Sequence, residues 1–306
     1  MADTNSSSVS SPQRVDMGGI VLAGLGAIAF SGKAIIVKLA FRYGVDAVTL
    51  LALRMLVALP LFVMMAIWSS GRATQALSHS DYWKIVVLGV LGYYLASFLD
   101  FEGLRYITAT LERLILYLTP TIVLLIGVVI FRRRVTRIQI IALLISYAGV
   151  TLAFGHDIRV GGSNIALGSL LVFGSALVYA IYLVGSGELV MHVGAVRLTA
   201  YAGSVASVFC IAQFFLLRPL DALQLPYQVY VLSLLNGTIC TVLPILLVML
   251  AVARIGPALA SQVGMIGPVS TIVLSFSLLH EPMEGVQIIG TILVLSGVLM
   301  VTRAKA

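Results

Sequence analysis

Charge is scarce in this sequence. Asp, Glu, Lys and Arg make up 10% of its 306 residues, against about 25% in soluble domains. Hydrophobic residues reach 60%, against about 45–50%. That balance excludes a water-soluble fold, because one core cannot hide so much apolar surface. Cysteine is scarcer still. Cys210 and Cys240 both fall in apolar runs without metal or redox spacing, which argues against a disulfide scaffold. His79, His156, His192 and His280 lie far apart in sequence, so no metal site is expected, and no cofactor. No long polar stretch leaves room for a separate soluble domain. No GxxxxGK[ST] run occurs, which argues against ATP-driven transport by this chain. GLGAIA at 24–29 fits a dinucleotide fingerprint, but it lies in the middle of an apolar run with no strand before it. The net charge of +7 is spread over short loops; it forms no nucleic-acid patch and reads instead as a membrane-orientation signal.

What the chain does contain is apolar runs near the 20 residues that a spanning helix needs. They cover 17–39, 46–68, 83–104, 108–130, 137–155, 165–184, 196–217, 228–251, 257–279 and 284–302. The expected fold is an all-α membrane protein with ten transmembrane helices. The Ser-rich residues 1–16 have no signal-peptide pattern and read as a disordered cytoplasmic tail. With the N-terminus in the cytoplasm, Arg14, Arg72, Lys84, Arg132, Arg133, Arg134, Arg137, Arg197, Arg254, Arg303 and Lys305 fall inside, and Lys38, Arg42, Arg105, Arg159 and Arg218 fall outside. This asymmetry places both termini in the cytoplasm.

Sliding the chain on itself by 148 residues brings Val45, Ala47, Val48, Leu50 and Ala52 onto Val193, Ala195, Val196, Leu198 and Ala200. Pro120 falls on Pro268, Gln139 on Gln287, and Gly149 on Gly297. The register defines a first repeat over 17–155 and a second over 165–302. Five spans per repeat is an odd number, so the second must enter the bilayer from the opposite side. Inverted repeats of this kind characterise secondary transporters, with substrate held near the midplane.

Polar groups in spans are costly and usually face a cavity or a partner. Ser31 and Lys33 lie on the first span. Tyr93, Ser97 and Asp100 recur at i, i+4 and i+7 on the third, which puts them on one face of a regular helix. Arg113 and Tyr117 share a face of the fourth span, and Ser175, Tyr179 and Tyr182 a face of the sixth. Asn236, Thr241 and Gln262 complete the candidates for a cavity with aromatic walls and hydrogen-bonding groups. Each Tyr has a packing role as its alternative. The buried charges Lys33, Arg54, Asp100, Glu112 and Arg113 all lie in the first half, and none of their partners at offset 148 is charged. They are expected to form one ion-pair cluster toward the outer side. A gate or packing network with Arg54 and Glu112 is the first reading, and a carboxylate site at Lys33 or Arg113 the second. Pro120 and Pro268 are expected to kink the fourth and ninth spans. Small residues Ala142, Gly149, Gly290 and Gly297 favour close packing, within the monomer or in a homodimer.

LHEPMEGVQIIGTILVLSGVLMV (279–301) resembles the closing motif of EamA-type repeats in the drug/metabolite transporter superfamily, with Glu281, Gln287, Gly290 and Gly297 matching and His280 where Gly is usual. LRMLVALPLF (53–62) and TATLERLILYLTPTIVLLIG (108–127) are similar to the second- and fourth-helix motifs. Arg133 replaces the loop Glu of the first repeat, and Ala142 a helix Gly. The resemblance implies ten spans as five plus five, and it is strongest to YddG-like exporters of aromatic amino acids. It implies a non-enzymatic secondary transporter of the bacterial inner membrane that exports small metabolites, amino acids foremost, by alternating access. A multidrug or nucleobase-type carrier, an intramembrane enzyme and a channel are the alternatives.

Overall fold

The computed structural model describes residues 16–71, 76–119, 121–123, 125–126, 137–160, 164–264, 266–280 and 285–303. Helix is the only extended secondary structure among them. In chain order the helices are α1 (Met17–Phe41), α2 (Ala47–Ser70), α3 (His79–Gly103), α4 (Ala109–Leu116), α5 (Arg137–Val160), α6 (Ile165–Val193), α7 (Ala195–Leu217), α8 (Tyr227–Gly237 continuing through Leu243–Val263), α9 (Ile266–Leu274 with Ser275–Leu279) and α10 (Gly285–Arg303). Six of them, α1, α2, α3, α6, α7 and α8, contain a stretch long and apolar enough to cross a membrane. Their outward faces carry Met64, Ile67, Leu170, Phe215 and Leu216, each more than half exposed. A soluble monomer rarely leaves such apolar surface bare; lipid is the solvent that suits it.

Side chains at the helix starts satisfy the first amides, which have no partner within the helix. Asp16 accepts from the Gly18 amide, and Thr108 from the Leu111 amide. Ser78 and Asp81 form a reciprocal capping box. Asp46 does most. Its carboxylate accepts from the Val48 and Thr49 amides at 3.0 and 3.2 Å, from the Thr49 hydroxyl at 2.5 Å, and from Arg218 Nε at 3.0 Å. That last bond ties the N-terminal end of α2 to the C-terminal end of α7. Burial pushes the Asp46 carboxyl up, but the Thr49 hydroxyl, Arg218 and the Thr49 amide outweigh it and hold the group below its ordinary value. A carboxyl lowered in this way contributes fully above its unfolded pKa of about 3.9, and the contribution is lost as pH falls through the folded value. Asp46→Asn keeps an N-cap acceptor but loses the Arg218 ion pair, so it is expected to cost about 0.2–1 kcal/mol at neutral pH and to flatten the acid limb of the melting profile below about pH 4. An acid limb identical to that of the parent protein would contradict this assignment.

The two halves pack by a common plan. α2 packs on α7 and α5 on α10; α1 lies against α8 and α9, while α6 lies against α3 and α4; α2 meets α8, and α7 meets α3. Exchanging each helix for its equivalent in the other half reproduces the same set of pairs. The α2–α7 pair is antiparallel. Val48 and Ala52 cluster with Phe214, Met55 Sδ meets Ser207 Oγ at 3.6 Å, Phe62 packs on Gly203, and Ser70 Oγ lies 2.6 Å from the Tyr201 hydroxyl. The small-residue stripe is used inside the chain, since Gly149 on α5 abuts the Gly290 carbonyl and Leu293 of α10.

π-helical turns interrupt α3 at Val90–Leu95 and α8 at Thr238–Val242. They begin 148 residues apart. Pro244 follows the second and lacks an amide proton, but Ala96 occupies the equivalent place after the first, so proline is not their common cause. What they share is a preceding glycine pressed on a neighbouring backbone. A methyl at Gly89 would stand 2.6 Å from the Ala202 carbonyl oxygen, and one at Gly237 would stand 2.7 Å from that of Arg54. Ala202 and Arg54 are also 148 apart. A third π turn ends α9, where His280 adopts φ 56°. That left-handed geometry explains why glycine is usual at this position.

Candidate functional site: a buried charge centre

The buried charges of the first half converge where α1, α2, α3 and α4 meet, toward the end of the bundle that carries Asp46 and Arg218. Lys33 on α1 pairs with Asp100 on α3, Nζ to Oδ2 2.5 Å. Glu112 and Arg113 begin α4. Arg113 Nε stands 3.5 Å from Glu112 Oε2, and Arg113 Nη2 donates to the Phe30 carbonyl of α1 at 3.2 Å. Glu112 is fully buried and has Arg113, Asp100 and Lys33 as charged neighbours. Arg54 on α2 is 2% exposed. Its guanidinium lies 4.7 Å from the Phe101 ring centroid, a cation–π distance, with Cys210, Asp100 and Cys240 around it.

Burying such ions is costly unless each has a partner. The pairing here is incomplete. Both Glu112 carboxylate oxygens, Asp100 Oδ1 and Arg54 Nε lack hydrogen bonds among the described residues. Lys33 and Arg113 each have a carboxylate, whereas Arg54 has none within ion-pair distance among the described residues. The expected five-member cluster thus contains two ion pairs, Lys33–Asp100 and Arg113–Glu112, that neighbour each other through Asp100 and Glu112, with the Arg54 guanidinium beside them.

Other candidates sort by partner. Tyr93 and Tyr182 touch through their hydroxyls at 2.5 Å, and Tyr179 stacks on Tyr182. Ser175 Oγ donates to the Ala96 carbonyl at 2.7 Å, so this face of α6 is an α3-packing face. Along α3 the two expected face-mates meet different helices: Tyr93 reaches Tyr182 of α6 and Asp100 reaches Lys33 of α1. Ser97 is half-buried. On the other side, the Tyr117 hydroxyl donates to the Gly264 carbonyl at 3.2 Å, and Ser31 Oγ lies 2.9 Å from the Ala27 and Gly267 carbonyls. Thr241 donates to the Asn236 carbonyl of its own helix and is committed there. Of Gln262 and Pro268 only the backbone is described, and Pro120 lies outside the described residues. Phe101, Cys210 and Cys240 are site neighbours that the sequence reading missed. They carry no polar signal, and only the fold brings them to Arg54. Among the described residues no group of three His, Cys, Asp or Glu side chains is placed to hold a metal.

Asn236 stands apart. It is fully buried, and neither the nitrogen nor the oxygen of its side-chain amide has a hydrogen bond among the described residues. An unsatisfied buried polar group costs about 1–3 kcal/mol. Asn236→Leu, close in size, is therefore expected to leave the melting midpoint unchanged or raised while impairing flux. A clear loss of stability would instead show that the amide has a structural partner.

The EamA-like transporter family pattern matches residues 17–155 and again 166–303. The uncharacterized transporter YcbK of Bacillus subtilis is 30% identical over 284 residues, covering 89% of this chain and 88% of that one. An uncharacterized transporter of Archaeoglobus fulgidus is 23% identical over 286 residues, covering 93% and 97%. One solved protein crystal structure superposes with a TM-score of 0.66 at 15% identity, over 94% of this chain and 96% of the other, a likeness in fold. These relatives are named as transporters, which points away from an enzyme. Two matches in tandem across nearly the whole sequence assign this membrane protein to the EamA-like transporter family.

Proposed function

We propose that this chain is a ten-span secondary carrier of two inverted five-helix halves, and that it exports small metabolites, amino acids foremost, across the bacterial inner membrane by alternating access. The antiparallel packing of α2 on α7 carries the reading. These are the second helices of the two halves, and equivalent helices that run in opposite directions are what an inverted repeat requires. The symmetric helix pairs and the matched π turns add support. Lys33, Arg54, Asp100, Glu112 and Arg113 are each at most 8% exposed, so a solute reaches them only when helices part. Both termini lie on the cytoplasmic side in this reading, in keeping with the loop charges. Aromatic side chains at Tyr93, Tyr117, Tyr179 and Tyr182 suit a substrate with an aromatic or apolar side chain.

The test is flux in proteoliposomes. Uptake of a labelled amino acid that saturates, and that accelerates when unlabelled substrate is loaded on the opposite side, is the expected result. Linear, non-saturating flux would identify a channel. Drugs or nucleobases moving in place of amino acids would keep the carrier and replace its substrate.

A further inference from the structure

We propose that Arg54 is the residue that receives substrate, and that the substrate presents a single carboxylate to it; this rests on the carrier reading above. Three cations and two carboxylates occupy the centre. Lys33 holds Asp100 and Arg113 holds Glu112, which leaves Arg54 as the guanidinium without an anion among the described residues. Its Nε has no hydrogen bond among the described residues, and its guanidinium lies against the face of Phe101. An arginine this deeply buried needs a counter-charge. The planar guanidinium matches a carboxylate through two parallel N–H···O bonds.

The remaining surroundings fit such a ligand. The facing α8 brings Gly237 against the Arg54 backbone, and the residue before it, Asn236, is fully buried with no hydrogen bond to its side-chain amide among the described residues. Cys210 and Cys240 flank the guanidinium and compete with no anion. The centre holds three cations and at most two anions, so it stays net positive and draws an anion, and the planar guanidinium fork favours a carboxylate among anions. Lys33 and Arg113, each already paired, would have to give up a carboxylate to do the same.

The full-length protein, purified in detergent, is to be melted with matched pairs, phenylalanine against phenylalaninamide and benzoate against benzamide, with chloride and bicarbonate as inorganic controls. The acids should raise the melting midpoint and the amides should not. Arg54→Gln should weaken binding of the acids on the order of tenfold to a hundredfold, and Arg54→Lys should retain part of it. Equal stabilisation by acid and amide, unchanged affinity in Arg54→Gln, a shift reproduced by chloride or bicarbonate alone, or no shift with any acid overturns the proposal. If Arg54→Gln does not fold, the acid–amide comparison on the parent protein decides alone. Proteoliposomes that prefer neutral or cationic solutes overturn this assignment and leave the carrier standing. Proteoliposomes that move nothing remove both.

Discussion

Replacing Asp100 with Leu is expected to destabilise the protein by about 3–5 kcal/mol, the cost of leaving a buried ion without its partner. Lys33 and Asp100 join α1 to α3 at 2.5 Å, with side chains no more than 10% exposed. Net charge at the centre predicts an asymmetry between the two single variants. The centre holds more cations than carboxyls, three against two. Asp100→Leu makes it more positive by one charge and leaves Glu112, already beside Arg113, as the one remaining carboxyl. Lys33→Met makes it less positive by one charge and frees Asp100 toward Arg54, which lies in its field, so its cost should be smaller, about 1–3 kcal/mol. The double variant restores the original balance with two fewer buried ions. It should recover most of the loss, because an apolar replacement of a buried pair is often neutral or better. The measurement is the melting midpoint of detergent-purified protein in a double-mutant cycle. Additive losses, with a double variant as unstable as the two singles summed, would show that the pair is not coupled.

Much of the fold was legible because both of its signals repeat. Apolar runs of spanning length are set by bilayer thickness, and the 148-residue register recurs in the exchange symmetry of the helix pairs. The location of the charge centre was legible too, since Lys33, Arg54, Asp100, Glu112 and Arg113 sit at similar depths from the ends of their helices. Who pairs with whom was not. Depth along a helix axis says nothing about rotation around it, so Asp100 could be placed near Lys33 and Arg54 alike, and the surplus on Arg54 became visible only from the packed arrangement. The spacing of Tyr93, Ser97 and Asp100 was read at 3.6 residues per turn, which says nothing of the neighbour each meets, Tyr182 of α6 for Tyr93 and Lys33 of α1 for Asp100, and nothing of the π turn at Val90–Leu95. Nothing in the apolar pattern marks a π turn, because residues on every side of α3 are hydrophobic. Gly89 and Gly237 were the available hint: equivalent glycines, each just before the irregular stretch.

Those two glycines carry the other large effect. Valine at Gly89 would put its Cβ 2.6 Å from the Ala202 carbonyl oxygen, and valine at Gly237 would put its Cβ 2.7 Å from that of Arg54. The obstacle is backbone in both cases, so no side chain can swing away, and helices α3 and α7, or α8 and α2, must separate. Overpacking of this kind costs about 1–3 kcal/mol, at times more, and both variants should fall at the upper end. Gly187→Ala on α6 is the control, since a Cβ there meets nothing within 4 Å; it should be neutral or stabilising by up to about 1 kcal/mol. The symmetric pair differs in function. Displacing α8 from α2 at Gly237 moves the turn that bears Arg54, whereas displacing α3 at Gly89 presses on Ala202, which carries no charge. Gly237→Ala, the milder change, should therefore weaken carboxylate-dependent stabilisation more than Gly89→Ala for a similar loss of melting midpoint. Equal binding losses in the two would mean that the glycines serve packing alone, and that the two halves share this contact without the second one tuning the charge centre.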